Sequence, residues 1–253
     1  MSLADTDALE ARHAAEGGEV KRAYVRRMFS EIAPRYDLLN HVLSFNIDRR
    51  WRAAALEELA WRERPAGRYL DLCAGTLDVG TQLVRQREFR GLVISADFSE
   101  PMLRAGHGKA PPAVLAPVAA DALDLPLGSG AADGVVVAFG IRNVANLDSA
   151  ITEVHRVLTP GARFVILEFS TPQSAVMRSL YHAYFHHVLP FVGGLISGHR
   201  TAYQYLPESV ANFPEQRVLA ERLQRAGFED VRWRSLTFGV AALHIGTKPG
   251  KRP

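Results

Sequence analysis

The sequence predicts an α/β fold in which a doubly wound, mostly parallel sheet is completed by a C-terminal antiparallel strand. Between residues 67 and 169, short apolar runs alternate with helical patterns, as expected when right-handed crossovers join parallel strands. The run from Gly134 to Phe139 is apolar throughout, which is typical of a strand buried on both faces. Two final runs, Val231 to Leu236 and Val240 to Thr247, flank a glycine and predict an antiparallel pair.

The chain divides into a polar leader (1–18), which we expect to be flexible, a single domain (19–248) and a short tail (249–253). Within the domain, residues 19–64 are predicted to form N-terminal helices. Residues 172–214, which are rich in aromatic and histidine residues, are predicted to form a helical insertion.

Periodicity and end signals place the individual elements. Apolar residues recur at helical spacing from 19 to 33, where Pro34 ends the first helix. The second helix is capped by Asn46 or Asp48 and runs to about residue 60. The core strands are predicted at 69–73, 92–96, 114–119, 134–139 and 163–169, and the core helices at 78–86, 100–105, 147–158 and 215–226.

Composition excludes some classes of protein. The net charge of +3 is too small to favour nucleic-acid binding, which calls for concentrated basic residues. The single cysteine, Cys73, allows no intrachain disulfide, favours a reducing compartment and is interpreted as a small core residue. No apolar run is long enough to span a membrane, and the N-terminus lacks a signal-peptide pattern, so a cytoplasmic location is expected.

Polar residues follow three successive predicted strands. Gly75 and Thr76 form a tight turn after the first strand, Asp97 ends the second, and Asp121-Ala122 follows the third. Such a turn offers backbone N–H groups, and an acid about 20 residues later can accept hydrogen bonds from ribose hydroxyls. Ligands of open α/β sheets bind at this edge, so the set predicts a nucleotide-type cofactor.

Structural interpretations compete with this one. Asp97 could cap a helix together with Ser99, and Asp121 could be a turn residue. The cofactor could be NAD or S-adenosylmethionine. Because Asp78 would stand where a pyrophosphate needs neutral donors, electrostatics favours S-adenosylmethionine, which has no phosphate.

A second group of polar residues lies in the segment Val137 to Val144. The buried strand would deliver Arg142 and Asn143 to its carboxyl end, beside the cofactor. Arg142 could pair with an anionic ring oxygen or hold a water there. Alternatively, it could neutralise a carboxylate such as Asp148 or Glu153.

Seven segments closely resemble the ubiquinone/menaquinone-biosynthesis C-methyltransferase family. The similarity extends from about Val20 to Lys248 and is most specific around Phe139 and Tyr203. The segments are Met28 to Asn40, Asp48 to Trp51, Phe139 to Asn143, Arg156 to Gly161, Leu167 to Ser170, Tyr203 to Ser209 and Leu236 to His244.

The resemblance implies a Rossmann-like, S-adenosylmethionine-dependent methyltransferase that methylates a ring carbon of a polyprenylated quinol, a naphthoquinol or a benzoquinol. It implies catalytic residues Arg142 and Asn143. For the substrate side, our own second candidates are Tyr203 and His244. Together with the turn residue Gly75, the cofactor contacts expected by motif and strand position are Thr76, Asp97, Asp121, Ala122 and Ala138.

Leu77 departs from the family pattern, which has glycine at this position. A leucine would crowd the methionine part of the cofactor or require a different backbone angle, because only glycine reaches positive φ freely. With an ordinary angle and a side chain directed into the sheet–helix interface, the change would be harmless. Two alternatives therefore stay open: a methyltransferase for another small aromatic acceptor, and a non-catalytic homologue with weakened cofactor binding.

The insertion 172–214 is interpreted as an amphipathic lid on the substrate side. His182 and His186 have the i, i+4 spacing that metals use, but no acid or cysteine ligand is evident nearby, and no metal is expected. Its apolar residues would suit a prenyl tail, a peripheral contact with the inner face of the membrane, or a homodimer contact. The sequence does not choose among these uses.

Overall fold

The computed structural model describes residues 18–33, 44, 46–184 and 200–250. They contain a seven-stranded sheet with the order β3-β2-β1-β4-β5-β7-β6. Strands β1 to β5 pair in parallel, and β7 is antiparallel to both β5 and β6, which confirms the predicted fold class. The strands are β1 (Arg68–Leu72), β2 (Leu92–Asp97), β3 (Leu115–Ala119), β4 (Gly134–Ala138), β5 (Arg163–Phe169), β6 (Glu229–Leu236) and β7 (Ala241–Thr247).

The helices flank the sheet, and the first two precede it in the chain. Helices are found within the predicted insertion, whose residues 185–199, including His186, lie outside the described residues. The helices are α1 (Gly18–Ile32), α2 (Ile47–Glu58), α3 (Asp78–Val84), α4 (Glu100–Ala105), α5 (Leu147–Val157), α6 (Ala175–Ala183), α7 (Arg200–Ala211) and α8 (Gln216–Arg225).

The core lies on both faces of the sheet, as the apolar run of β4 predicts. Val135 and Val137 pack on one face among residues of α5 and α8, while Val136 packs on the other among residues of α2 and α3. All three valines are fully buried. A third apolar cluster, which includes Tyr24 of α1 and Tyr205 of α7, joins the first helix to a helix of the predicted insertion.

The strand order fixes where a ligand can bind. The chain leaves β1 towards β2 on one side, whereas β4 lies on the other side of β1. A crevice therefore opens above the carboxyl ends of β1 and β4, where the connections diverge. Cys73 and Gly140, which follow these strands, are so close that a β-carbon on Gly140 would lie 2.3 Å from the Cβ of Cys73. Within the described part of the chain, no helix is both long and apolar enough to cross a bilayer.

Candidate cofactor and acceptor site

A cavity of about 690 Å³, which includes space open to solvent, lies above the carboxyl ends of β1 to β4. Six of the residues predicted from the sequence line it, together with Arg22 and Phe29 of α1, which the sequence did not suggest. The six are Gly75, Asp97, Asp121, Ala122, Ala138 and Asn143.

Asp97 shapes the turn that follows β1. Its Oδ2 accepts a hydrogen bond from the Gly75 N–H at 2.8 Å, and its Oδ1 accepts one from the Ser99 N–H at 2.8 Å. Burial raises the pKa of Asp97, against the effect of these two donors. The carboxylate thus has a structural role, which was the alternative to ligand binding. It also lines the cavity. Each oxygen keeps a lone pair with which it can accept from a ligand hydroxyl.

Asp121 likewise has a structural role in a turn and also a position at the ligand cavity. Its Oδ1 accepts from the Leu123 N–H at 2.9 Å, which makes it a turn residue. Its Oδ2 forms an ion pair with Arg22 Nη2 at 2.7 Å, and both side chains line the cavity. Asp121 therefore reaches the cavity already oriented by one backbone donor and one cation.

Asp78 and Thr76 lie away from the lining. The Asp78 carboxylate pairs with Arg52 at 2.7 Å and with Lys109 at 2.6 Å. Burial raises the pKa of Asp78, but the two cations outweigh burial and lower it. Asp78 is not among the residues that line the cavity, where the electrostatic argument for S-adenosylmethionine placed it. Thr76 is buried, and its cofactor role stays a prediction.

Leu77 adopts the backbone conformation that a glycine would take. Its φ of 69° and ψ of 21° are left-handed, at the N-cap of α3. Its side chain is only 2% exposed and packs in the apolar cluster with Leu83 and Leu103, outside the cavity lining. A β-carbon on Gly106 would lie 2.5 Å from the Leu77 Cγ, so the leucine fills the space above that glycine. The strained angle lowers the free energy of unfolding by about 1–2 kcal/mol. Burial of the side chain raises it by about 1.5–3 kcal/mol. The side chain therefore lies in the sheet–helix interface, as a harmless change requires, but the backbone angle is not the ordinary one expected for it.

Asp71 supports the same turn from below, a role the sequence interpretation missed. It is fully buried in β1, and its Oδ2 accepts from the Gly80 N–H at 2.9 Å, which anchors α3 to the sheet. Burial raises the pKa of Asp71 to about 7, although the Gly80 donor opposes this. The available signal was an acid within an otherwise apolar strand.

Arg142 is held in a buried ion pair. Its Nη1 donates to Glu168 Oε1 at 2.7 Å, and the two side chains are only 7% and 2% exposed. The same guanidinium also donates to the Phe139 carbonyl and, through Nε, to Ser209 Oγ at 3.3 Å. The suggested partners Asp148 and Glu153 pair instead with Arg222 and Arg156. Arg142 is not part of the cavity lining.

Asn143 does face the cavity. It ends a single 3-10 turn, Ile141–Asn143, that begins directly after β4 and Gly140. The side chain is almost fully buried, and no described residue donates a hydrogen bond to its Oδ1. A buried acceptor without a partner is costly, which suits a ligand that donates to it.

Of the two candidates on the substrate side, His244 does not line the cavity. His244 lies in β7 beneath α8, and its Nε2 donates to the Gln216 carbonyl at 2.9 Å. Burial lowers its pKa to about 4, so the ring is neutral near pH 7. Tyr203 belongs to α7, but its side chain lies outside the described residues.

Cys73 does line the cavity, and burial raises its pKa well above the usual range, which keeps the thiol protonated.

Comparison with known proteins identifies similar chains. Residues 18–248 match the ubiE/COQ5 methyltransferase family. A demethylmenaquinone methyltransferase of Thermus thermophilus is 50% identical over 224 residues, which cover 88% of this chain and 100% of that protein. A ubiquinone/menaquinone biosynthesis C-methyltransferase of Geobacter sulfurreducens is 43% identical, with 88% of each chain covered.

A similar fold is found in phosphoethanolamine N-methyltransferase 2 of Haemonchus contortus, solved in complex with S-adenosyl-L-methionine. The TM-score is 0.56 at 15% identity, and the match covers 78% of this chain and 52% of that one. At this identity the likeness concerns the fold alone.

The position of Leu77 predicts an unusual order of stabilities. Leu77→Ala keeps the left-handed strain and loses the buried side chain, whereas Leu77→Gly loses the side chain but relieves the strain. We expect the glycine variant to be more stable than the alanine variant by about 1 kcal/mol, as measured by urea denaturation. An alanine variant that is equally or more stable contradicts the strain.

The ion pair of Arg142 predicts strong coupling. Arg142→Met leaves the Glu168 carboxylate buried without a cation and should lower the free energy of unfolding by about 3–5 kcal/mol. Arg142→Met/Glu168→Leu should lose clearly less than the sum of its two single variants in a double-mutant cycle. The control is Arg222→Met, which breaks the exposed pair with Asp148 and should cost less than about 1 kcal/mol. Additive losses would show that the pair does not interact.

Proposed function

The chain belongs to the ubiE/COQ5 methyltransferase family, and we propose that it methylates a ring carbon of polyprenylated demethylmenaquinol. As a member of this family it is an S-adenosylmethionine-dependent methyltransferase. The observation that carries the proposed acceptor is the 50% identity to a demethylmenaquinone methyltransferase along that protein's whole length. The geometry adds a cavity at the sheet edge where the predicted cofactor residues meet Asn143.

The residues of the cavity fit the cofactor. Asp97 and Asp121 would hold its ribose and adenine, with Gly75 and Ala122 forming the adjacent walls. The Asn143 Oδ1, which has no donor among the described residues, suits a ligand N–H or O–H. When bound, S-adenosylmethionine supplies an electrophilic methyl group on sulfur. Leu77 stays out of the cavity, which removes the reason to expect weakened binding and a non-catalytic protein.

The acceptor must be activated for attack through carbon. A quinol ring carbon becomes nucleophilic as a ring hydroxyl loses its proton, so the site has to receive this proton or stabilise the oxyanion. Asn143 cannot take up the proton, which would pass to the solvent that reaches the cavity, but its Oδ1 can accept from the hydroxyl and orient the ring, and its amide N–H can donate to the oxyanion as it forms. Its place at the end of β4, directly above the sheet, fixes that orientation.

Arg142 then acts through Asn143 rather than on the acceptor. Its guanidinium is bound to Glu168, Ser209 and the Phe139 carbonyl, so it anchors the turn that carries Asn143. We therefore assign Arg142 as a positioning residue. This refines the expectation, drawn from the sequence, that Arg142 itself contacts the ring oxygen.

Peripheral contact with the inner face of the membrane fits a substrate with a prenyl tail. Two large apolar side chains stay exposed on elements that begin or end near the same sheet edge: Val176 of α6 is 70% exposed and Phe238 is 78% exposed. Such side chains favour a lipid surface over water. Together they support contact with an apolar surface, which a membrane that holds the prenylated substrate would provide.

The decisive experiment is a methyl-transfer assay with the purified protein, S-adenosylmethionine and a chemically reduced acceptor. We expect methylated product from demethylmenaquinol, less from the matching benzoquinol, and least from demethylmenaquinol without its prenyl tail. Product is identified by mass spectrometry. Binding of S-adenosylmethionine without transfer to any prenylated quinol would refute the proposed acceptor class.

The most informative single substitution replaces Asn143. Asn143→Ala should lower kcat at least about tenfold because one positioned hydrogen bond to the reacting group is lost, while the Kd for S-adenosylmethionine changes far less. The control is Asn212→Ala, which makes the same change at an exposed position of the helical region and should leave both constants unaltered. An unchanged kcat in Asn143→Ala would remove Asn143 from the mechanism.

A further inference from the structure

Helix α1 lies across the cavity and is fastened on both sides of it. The Gly18 N–H donates to the Ala145 carbonyl at 3.3 Å, and Lys21 Nζ donates to the Arg142 carbonyl at 2.7 Å. On the other side, the Ser30 and Ser99 hydroxyls are 3.2 Å apart. The helix thus connects the turn after β4 with the start of α4.

Arg22 extends this connection to the third strand. Its Nη2 lies 2.7 Å from Asp121 Oδ2, and both side chains belong to the cavity lining. Arg22 is 47% exposed and Asp121 only 23%, so the guanidinium lies on the solvent side of the ion pair. The neighbouring residue Lys21 holds the turn that carries Asn143. Two consecutive residues therefore tie the cofactor half of the site to the acceptor half.

We propose that Arg22 is a cofactor-positioning residue through which helix α1 closes over the adenosine part of S-adenosylmethionine. The inference rests on the cofactor and does not depend on which quinol is methylated. Arg22 holds the Asp121 carboxylate on the side where the adenine edge would bind. A planar guanidinium at this place can also stack on a purine while it keeps its ion pair.

The chemistry of Arg22 distinguishes this role from simple helix docking. A docking residue would affect the free energy of unfolding of the ligand-free protein. A residue over adenosine affects the Kd of every ligand that contains adenosine, with or without the reactive methyl group. Loss of Arg22 should therefore raise the Kd of S-adenosylmethionine and that of its demethylated product, S-adenosylhomocysteine, by the same factor.

Calorimetric titration of the full-length chain tests the proposal. Arg22→Gln should raise the Kd of both ligands about five- to tenfold, as expected for one partly exposed charge-assisted contact. Arg22→Lys should recover part of this loss. The matched control is Arg26→Gln, one turn further along the same helix at an exposed position, which should bind both ligands like the parent.

Two results would overturn the inference. One is an Arg22→Gln protein that binds both ligands within about twofold of Arg26→Gln. The other is weaker binding that accompanies an equal loss in the free energy of unfolding, with no recovery in Arg22→Lys. Because binding is measured without an acceptor, failure here is separate from failure of the quinol assignment.

Discussion

The site depends on the placement of Arg142 more than on any other interaction. Its guanidinium donates to Glu168 of β5, to the Phe139 carbonyl after β4 and to Ser209 of α7. Its own carbonyl accepts a hydrogen bond from Lys21 of α1. Four elements that are far apart in sequence thus converge on one buried residue. A charge in such a place is tolerated only because a carboxylate and neutral acceptors surround it.

Other polar residues inside the sheet follow the same logic. Asp71 holds the start of α3, and His244 holds the start of α8 through the Gln216 carbonyl. Glu168 in β5 holds the turn that carries Asn143. Each lies in an otherwise apolar strand and forms a hydrogen bond with the first turn of a helix or with the turn after β4. The few polar groups of the sheet therefore fix the start of two helices and the turn that carries Asn143.

This pattern explains how much the sequence could reveal. Strand alternation and the continuous apolar run of β4 predicted the sheet, and the three strand ends predicted the cavity residues, because parallel strands share one carboxyl edge. The partners of Arg142 and Asp78 could not be predicted, since Glu168 and Lys109 are distant in sequence and no periodicity relates them. Likewise, nothing in the spacing of α1 showed that Arg22 would meet Asp121.

The left-handed turn at Leu77 restricts a residue that is distant in sequence. A β-carbon on Gly106 would lie 2.5 Å from the Thr76 carbonyl oxygen as well as from Leu77, so the backbone of the turn itself keeps position 106 free of a side chain. A side chain at position 106 would therefore have to displace both Leu77 and the backbone of the turn. The cofactor turn thus depends on a glycine that is distant in sequence and does not itself line the cavity.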